Sequence, residues 1–404
     1  MPLGFTFVAP EARGWGEAAL GLRIARELIG RGHRVTFAAP RSLGPLLRSS
    51  GVQPVALNER RQRLSKVVPR LLTRSSADAL VLVDAATWSW RPPAERAFLR
   101  RLDLPVIALD VWDIGEPGFR WDFSDSVPVR PDPVPAQLRL LPVPFLRPSA
   151  GKGSYDALPR LTLTSRSGRR ACRDAFGIAA RERLILLTSA RWQGGAQPSV
   201  QAKRLAYLLP WLAAGLVGRA GGGVRVLHVG PEPWSPFRAV LGRRYRWSPQ
   251  LAPAAFESAL RAADLLLSFN AAGTASSSAI ALGIPVLTGI NSNASGSMDQ
   301  ALGELGADCS PLLRAWLRHA VPLYPFAMWP LGLHRVMLRA LARNPYRQLI
   351  NPTEILQEDR FVARLRELLY DIGTRRASSE AQAGYRQRVG RLPRAADLIT
   401  SFLD

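Results

Sequence analysis

Residues 262–288 read AADLLLSFNAAGTASSSAIALGIPVLT, and this stretch decides the fold. A short apolar run, Leu265–Phe269, precedes a turn of small residues, and a segment of helical length, Thr274–Leu282, follows the turn. A second apolar run, Pro285–Thr288, comes next. A buried strand, a helix and a second buried strand in this order predict a βαβ unit with parallel strands and a right-handed crossover.

The same alternation extends in both directions from this unit. Predicted strands lie at 3–9, 33–39, 52–57, 79–83, 106–109, 184–188 and 224–229. Helical periodicity separates them, at 17–29, 93–101, 199–217 and 253–263. Because 404 residues exceed the usual size of one domain, the pattern predicts two doubly wound α/β domains.

A proline-rich segment with little periodicity, Pro117–Pro159, divides the two alternating regions. It predicts an N-terminal domain over 1–125, a linker over 126–160, a second domain over 161–350 and closing helices over 351–404 that cross back to the first domain. Ligands of doubly wound sheets bind beyond the carboxyl ends of the strands. Two such domains in one chain therefore predict a site in a cleft between them.

The composition, 47% hydrophobic and 21% charged, is typical of a globular protein, but the net charge of +23 is unusual. Nearly all of the positive charge is arginine. Two explanations stay open: the codon usage of a GC-rich genome, and a preference for anionic partners such as nucleotide phosphates or acidic lipids. The arginines are scattered without a dense tract, which argues against nucleic acid as a partner.

Several features bear on the cellular location. The two cysteines, Cys172 and Cys309, are far apart and belong to no Cys/His cluster, which argues against zinc and predicts reduced thiols. No secretory signal and no apolar run of 18 residues is present, so a cytoplasmic protein is expected.

Aromatic residues surround an uncharged run within residues 312–343, and arginines flank it. This segment is either a buried helical hairpin or a peripheral contact with an anionic membrane.

The stretch quoted first resembles the donor-binding signature of the GT-B glycosyltransferases. That signature has an ADL strand, a Gly-rich turn, a short helix and a GIPVL strand; the antibiotic-tailoring and lipid-linked peptidoglycan-precursor branches are most similar. Residues 22–37, LRIARELIGRGHRVTF, resemble the opening LAxAxxLxxRGHxVTF of the same families. The resemblance implies two Rossmann-like domains facing across a cleft. It also implies transfer of a sugar from a nucleoside diphosphate donor.

The resemblance places the donor phosphates at the turn that begins at Asn270. Backbone N–H groups at a helix start can hold a pyrophosphate, and Gly273 permits its close approach. Thr274 adds a hydroxyl donor. In the resembled families a histidine begins this turn and a glutamate near the end of the helix holds the ribose. Asn270 and Ser278 occupy those two positions here.

Two further pairs complete the predicted donor site. Asp299 and Gln300 match in type the residues that bind the donor sugar in the resembled families; a polar helix start explains them equally well. Arg191 and Trp192 follow the first strand of the second domain, where relatives contact the nucleotide. Arg191 would pair with phosphate and Trp192 would stack on the base, or both belong to a surface turn.

The candidate catalytic base is Glu17, at the position of the family's loop histidine and beside the acceptor-side loop glycines Gly14 and Gly16. The positive end of the helix that Glu17 begins predicts a lowered pKa, and helix initiation alone would also account for the residue. Asp110 and Asp113 follow a buried strand and are further candidates, as is Asp84 after another strand. No metal is predicted.

We expect a glycosyltransferase that uses a nucleoside diphosphate sugar as co-substrate, with no other cofactor, and a small-molecule or lipid-linked acceptor. The replaced histidine and glutamate favour an alternative, a catalytically inactive GT-B protein that scaffolds a partner enzyme. A sugar-nucleotide epimerase on the same frame is a third possibility.

Overall fold

The computed structural model describes residues 1–11, 14–58, 63–124, 127–144, 153–163, 165–194, 199–306 and 309–404. The chain forms two compact units. Unit 1 comprises Met1–Trp121, Val129–Leu158 and Gln387–Asp404, and unit 2 comprises Asp122–Pro128 and Pro159–Arg386.

Unit 1 is built on a seven-stranded parallel sheet with the order β3-β2-β1-β4-β5-β6-β7. Its strands are β1 (Gly4–Val8), β2 (Arg34–Pro40), β3 (Pro54–Leu57), β4 (Ala79–Leu82), β5 (Val106–Leu109), β6 (Leu138–Val143) and β7 (Ser154–Asp156). Its first helices are α1 (Trp15–Gly30), α2 (Gly44–Arg48), α3 (Leu64–Ser75), α4 (Ala85–Ser89) and α5 (Pro93–Arg96). The central strands β1, β4 and β5 are completely buried, as their continuous apolar sequences predict.

The segment predicted as a linker, 126–160, differs from that prediction because it contributes two strands to the sheet of unit 1. The run LRLLPV forms β6, which pairs with β5 through its first half and with β7 through its second half. Pro142 lies in the second half. The prolines around this run obscure its apolar pattern, so composition alone indicates a linker.

Unit 2 is built on a six-stranded parallel sheet with the order β10-β9-β8-β11-β12-β15. Its strands are β8 (Arg183–Thr188), β9 (Val224–Val229), β10 (Tyr245–Ser248), β11 (Leu265–Ser268), β12 (Val286–Ile290) and β15 (Pro352–Glu354). A separate antiparallel pair is formed by β13 (Phe326–Met328) and β14 (Gly332–Leu333). The prediction of two doubly wound, Rossmann-like α/β sheets is therefore confirmed.

The helices of unit 2 cover its sheet. They are α6 (Arg166–Ala175), α7 (Val200–Gly218), α8 (Ser235–Leu241), α9 (Pro253–Ala262), α10 (Thr274–Ala281), α11 (Met298–Leu305), α12 (Pro311–Ala320), α13 (His334–Leu341), α14 (Tyr346–Leu349), α15 (Glu358–Tyr370) and α16 (Ile372–Val389). The longest of the apolar helices, α7, packs its buried leucines and alanines into the core formed by β8, β9 and β11.

The aromatic run within residues 312–343 belongs to the core of unit 2. Trp316, Tyr324, Phe326 and Trp329 are all less than 5% exposed. The indole N–H groups of the two tryptophans donate to backbone carbonyl groups of α7. Side chains buried in this way cannot contact lipid, so the peripheral membrane prediction finds no support and the buried alternative describes the segment. Among the described residues, no helix has the length and apolar character to cross a membrane.

The last helix, α17 (Ala395–Leu403), packs in unit 1 against α1, β6 and β7. Arg394 precedes it and pairs with Asp156 at 3.0 Å and with Glu27 on α1. Arg31 also pairs with Asp397, at 2.6 Å. The chain therefore returns to unit 1 near residue 387, and not at residue 351 as predicted. The elements between these positions, β15, α15 and most of α16, belong to unit 2.

Candidate functional site

Two carboxylates of unit 1 meet at the carboxyl ends of neighbouring strands. Glu17 lies in the first turn of α1, which follows β1, and Asp84 directly precedes α4 after β4. An atom placed at a Cβ position on Gly14 would lie 3.4 Å from Glu17 Oε2 and 3.5 Å from Asp84 Oδ2. The two oxygens therefore lie within about 7 Å of each other. Gly14 caps α1 and Gly16 is its second residue.

The pKa of Glu17 is raised to about 7, mainly because burial penalises the carboxylate and secondly because Asp84 lies near it. A hydrogen bond with the residue's own backbone opposes the shift but is smaller. The prediction of a lowered pKa is wrong, because it counted the helix end and omitted both of these terms. A carboxylate with a pKa near neutrality has the proton affinity of an efficient general base.

Asp84 occupies a strained position typical of functional sites. Its φ angle is 69°, in the left-handed region that non-glycine residues rarely adopt. Its carboxylate accepts from the backbone N–H of Thr87 at 3.2 Å and from the Thr87 hydroxyl. Burial nevertheless raises the pKa of Asp84 to about 6, because it outweighs these hydrogen bonds. Glu17 and Asp84 together form a pair of carboxyls, here called the acid pair, that titrates near neutral pH.

The aspartates after β5 have a different environment. Asp110 is fully buried and accepts from the backbone N–H groups of Trp112 and Ile114, both at 3.2 Å. Arg139 on β6 contacts both Asp110 and Asp113, the latter at 2.6 Å. These bonds hold the loop after β5, which accounts for Asp110 and Asp113 as structural residues. Their predicted catalytic role stays a prediction.

In unit 2, the turn after β11 presents backbone donors. Asn270 Oδ1 accepts from Ala272 N–H at 2.9 Å, which shapes the turn. Among the described residues, the Asn270 amide group donates to no partner. The N–H groups of Thr274 and Ala275 likewise have no acceptor in the part of the chain that the structure describes. Gly273 precedes them as the cap of α10. The geometry therefore offers three donors where the sequence predicts the phosphates.

Ser278 does not lie free at the predicted ribose position. Its hydroxyl donates to Thr274 O at 3.0 Å within α10, and the residue is 9% exposed. Sequence position alone carries no information about this bond, which uses the hydroxyl inside the helix. A ribose contact at Ser278 stays a prediction and would require the side chain to change its partner.

The remaining predicted donor residues lie on the surface of unit 2. Arg191 is exposed and Trp192 partly buried, in the turn after β8. Asp299 and Gln300 are both exposed at the start of α11. Gln300 Oε1 accepts from Gly296 N–H at 2.8 Å, so it takes part in the helix start that the alternative explanation requires. The sugar-binding role stays a prediction.

At the ends of β8 and β9 lies a chain of hydrogen bonds that no sequence motif predicts. Ser189 Oγ lies 2.7 Å from His228 Nε2, and His228 Nδ1 lies 2.8 Å from the Tyr245 hydroxyl. The backbone N–H of Trp234 donates to that hydroxyl at 2.8 Å. These hydrogen bonds require a glycine at position 230, since a Cβ there would lie 2.0 Å from Ser189 Oγ. We call Ser189, His228 and Tyr245 the relay.

The relay has one direction that satisfies every group. Burial lowers the pKa of His228 to about 3 and raises that of Tyr245 to about 12, so the imidazole is neutral and the phenol protonated. The Tyr245 oxygen already accepts from Trp234 N–H, and its single proton needs an acceptor, which His228 Nδ1 provides. His228 Nε2–H then donates to Ser189 Oγ. The Ser189 proton is thereby directed away from His228 and is available to a ligand.

The sequence features that belong to the relay lie far apart along the polypeptide. Ser189 directly follows the strand LILLT, and His228 interrupts the apolar sequence of β9. The register pairs Leu187 with His228, which brings the two strand ends together. Among the described residues, no group of three His, Cys, Asp or Glu side chains has a geometry that could hold a metal ion.

The family of unknown function DUF6365 matches residues 24–404, and the chain belongs to this family. No curated protein sequence matches it. Similar solved structures include the spinosyn rhamnosyltransferase SpnG, with 15% identity, 100% coverage of both chains and a TM-score of 0.56. The glycosyltransferase of kitacinnamycin has 18% identity, coverage of 100% of this chain and 99% of that chain, and a TM-score of 0.57. HepE of Anabaena, in complex with UDP and glucose, has 14% identity, coverage of 99% and 98%, and a TM-score of 0.52.

These similarities define the fold as GT-B, as the sequence resemblance implies. The fold is the one found in antibiotic-tailoring glycosyltransferases. SpnG has also been solved with thymidine diphosphate and with the spinosyn aglycone.

Proposed function

We propose that this protein is a glycosyltransferase that transfers a sugar from a nucleoside diphosphate to an acceptor hydroxyl. The acid pair carries the proposal. A partly buried glutamate with a pKa of about 7, beyond the carboxyl end of a strand in a doubly wound sheet, suits a general base at neutral pH. A protein that only scaffolds a partner has no need of such a group.

Glu17 removes the proton of the acceptor hydroxyl in this proposal. The partial removal of Glu17 from water and the neighbouring charge of Asp84 keep the proton affinity of Glu17 high. When Glu17 takes the proton, the negative charge of the pair decreases by one, so the low-polarity surroundings favour the transfer. Asp84 is thus a positioning residue that tunes the base.

Unit 2 binds the donor in this proposal. The Ser189 hydroxyl, the Asn270 amide and the N–H groups at the start of α10 are aimed at the diphosphate. Ser189 follows β8 and Asn270 follows β11, and these two strands are hydrogen-bonded neighbours. Donors prearranged in this way stabilise the negative charge that develops on the leaving diphosphate. The nucleotides bound to SpnG and HepE make thymidine and uridine diphosphates the first candidates.

A thermal-shift titration against nucleoside diphosphates tests the donor side, since a ligand that binds only the native state raises its stability. We expect a shift with one nucleotide and a roughly tenfold weaker Kd in Ser189→Ala, as for a lost hydrogen bond to a charged group. Ser248→Ala is the matched control, because Ser248 ends β10 in the same sheet and its hydroxyl donates to Gln250 O. If no nucleotide shifts the wild-type protein, the proposal is wrong.

Release of the nucleoside diphosphate from the matching nucleotide sugar tests the chemistry. Without an acceptor, water takes its place and the wild-type protein releases nucleotide slowly. We expect Glu17→Gln to lower this rate by about 10²–10⁴ while nucleotide binding persists, as for loss of a general base. Equal rates in the variant and the wild-type protein would contradict the role of Glu17.

A further inference from the structure

Four arginines surround a single aspartate at the amino end of β11. Asp264 is 2% exposed and precedes the strand directly. Its carboxylate lies 2.9 Å from Arg169, 3.0 Å from Arg173, 3.4 Å from Arg183 and 3.5 Å from Arg375. We call these five residues the arginine cluster.

The Asp264 carboxylate cannot satisfy all of its neighbours. It also accepts from Leu184 N–H at 2.9 Å, which makes five donors for about four lone-pair sites. The two longest contacts, from Arg183 and Arg375, are the weakest. These two guanidinium groups therefore keep donors that Asp264 does not use fully.

Arg173 and Arg169 have structural roles, but Arg183 and Arg375 do not share them. Arg173 also donates to the carbonyl groups of residues 179, 182 and 262, and Arg169 to that of Ala263. Arg183 and Arg375 contact Asp264 only at the distances given above, and their side chains are 32% and 26% exposed. The Cζ atom of Arg183 lies 5.7 Å from the ring centre of Tyr370, and this contact restrains the orientation of the guanidinium group.

The charge balance of the cluster is the reverse of that around Arg139 and Arg394. Arg139 contacts two carboxylates, and so does Arg394. In the arginine cluster four positive charges share one negative charge. Burial and the neighbouring arginines lower the pKa of both Arg169 and Arg375, despite the attraction of Asp264.

The two nearby carboxylates, Glu182 and Asp371, do not neutralise the excess positive charge of the arginine cluster. Glu182 is engaged by Arg225 at 2.6 Å and by the backbone N–H of Ala179 at 2.8 Å. Asp371 is exposed and accepts from Thr374 N–H at 2.6 Å, at the start of α16. The excess of positive charge is thus partly shielded from water, and no carboxylate among the described residues balances it.

We propose that the arginine cluster is a binding site for a phosphate-bearing anion, held chiefly by Arg183 and Arg375. Guanidinium groups bind phosphate oxygens through paired N–H donors, and an anion with two or more charges would offset most of the excess of three positive charges. The site is separate from the proposed donor turn. The two lie at opposite ends of β11, whose four residues span about 13 Å.

Thermal unfolding with and without inorganic pyrophosphate tests this site. We expect pyrophosphate at a hundredfold excess over its Kd to raise the Tm of the wild-type protein by about 5 °C. Arg375→Gln should lose this response, and in phosphate-free buffer of low salt it should keep or raise the Tm because it relieves repulsion. Arg376→Gln is the matched control, since Arg376 is the next residue, is exposed and pairs with Glu380 at 2.8 Å.

The proposed donor turn also attracts pyrophosphate, so the titration is repeated in Asn270→Asp, which adds a negative charge at that turn. A response that persists in Asn270→Asp and disappears in Arg375→Gln supports the arginine cluster. A response that disappears in Asn270→Asp and persists in Arg375→Gln overturns it, as does a lowered Tm of Arg375→Gln without any pyrophosphate response in the wild-type protein. Failure of nucleotide binding alone would concern only the donor turn.

The phosphate group could belong to a soluble molecule or to a lipid. Sedimentation with phosphatidylcholine vesicles, with and without phosphatidic acid, separates the two sources. Binding to phosphatidic acid that is lost in Arg375→Gln supports the site and indicates a lipid headgroup. A pyrophosphate response without sedimentation supports the site and indicates a soluble ligand.

Discussion

At the residue scale, Glu17 shows how burial can outweigh a helix end. Its carboxyl lies where the partial positive charge of α1 favours ionisation, yet its pKa is raised to about 7. Desolvation acts on the whole charge of the carboxylate, whereas the helix end offers roughly half a unit charge. The acidic neighbour Asp84 acts in the same direction as burial.

The raised pKa predicts how stability changes with pH. Between the ordinary value of 4.5 and the folded value of about 7, native Glu17 holds a proton that the unfolded chain releases. Stability therefore falls as the pH rises through this interval, by about 2 kcal/mol after allowance for solvent screening. Glu17→Gln should raise the Tm at pH 8 and leave it nearly unchanged at pH 4.

Differential scanning calorimetry across this pH range provides the measurement. Asp103→Asn, at an exposed acidic residue of the same unit, is the control and should follow the wild-type curve. Parallel curves for Glu17→Gln and the wild-type protein would show that Glu17 ionises normally.

At the element scale, the loop after β5 depends on the ion pairs of Arg139. Asp110 is fully buried, and Arg139 supplies its charged partner from the adjacent strand β6. Arg139→Met would leave a buried carboxylate without that partner and should destabilise unit 1 by about 3 kcal/mol. Chemical denaturation would measure the loss.

Two further variants make this prediction specific. Arg130→Met, at an exposed arginine of the same unit, should change stability by less than about 0.5 kcal/mol. The double variant Arg139→Met/Asp110→Asn should recover part of the loss, because it also removes the unpaired charge. Equal losses in the single and double variants would mean that packing of the Arg139 side chain, and not its charge, matters.

The elements also show what sequence patterns predict well. Continuous apolar runs such as ALVL in β4 and LILL in β8 mark the buried parallel strands, and the turn at Asn270 marks the start of α10. The strand β6 is not predicted, because the prolines around it obscure its apolar pattern. Trp316 and Trp329 left the membrane alternative open, because sequence cannot distinguish aromatic residues in a core from those at a membrane surface.

Of the candidate site, sequence could indicate only the parts that depend on local sequence. Asn270 and Gly273 lie in one turn, and Glu17 lies at one helix start, so spacing identifies them. The relay joins residues 189, 228 and 245, which meet only when β8, β9 and β10 align. The pKa of Glu17 likewise depends on Asp84, 67 positions away in the sequence.

At the scale of the whole molecule, unit 1 is discontinuous in sequence. Residues from Gln387 onward complete it through α17, whose Ala395, Ala396 and Ile399 are buried. A chain ending at Val389 should therefore lose stability in unit 1 while unit 2 is retained. In calorimetry we expect one transition to fall by at least about 5 °C, since burial of one large apolar side chain contributes about 1.5–3 kcal/mol.

Point variants distinguish the contribution of ion pairs from that of packing. Arg394→Gln removes the contacts with Asp156 and Glu27 and should lower the same transition by a smaller amount. Arg391→Gln, at an exposed arginine three residues earlier, should leave it unchanged. A truncated chain with both transitions at their wild-type temperatures would contradict the role assigned to α17.

The return of the chain to unit 1 has a consequence for biosynthesis. About 250 residues separate Leu158, where the first part of unit 1 ends, from the last residues of α17. At about 5–20 residues per second, a nascent chain waits roughly 10–50 s on the ribosome before α17 is available. During this interval the apolar surfaces that α17 covers on α1, β6 and β7 are open to chaperones. Unit 2, although later in the sequence, can be the first to reach its final structure.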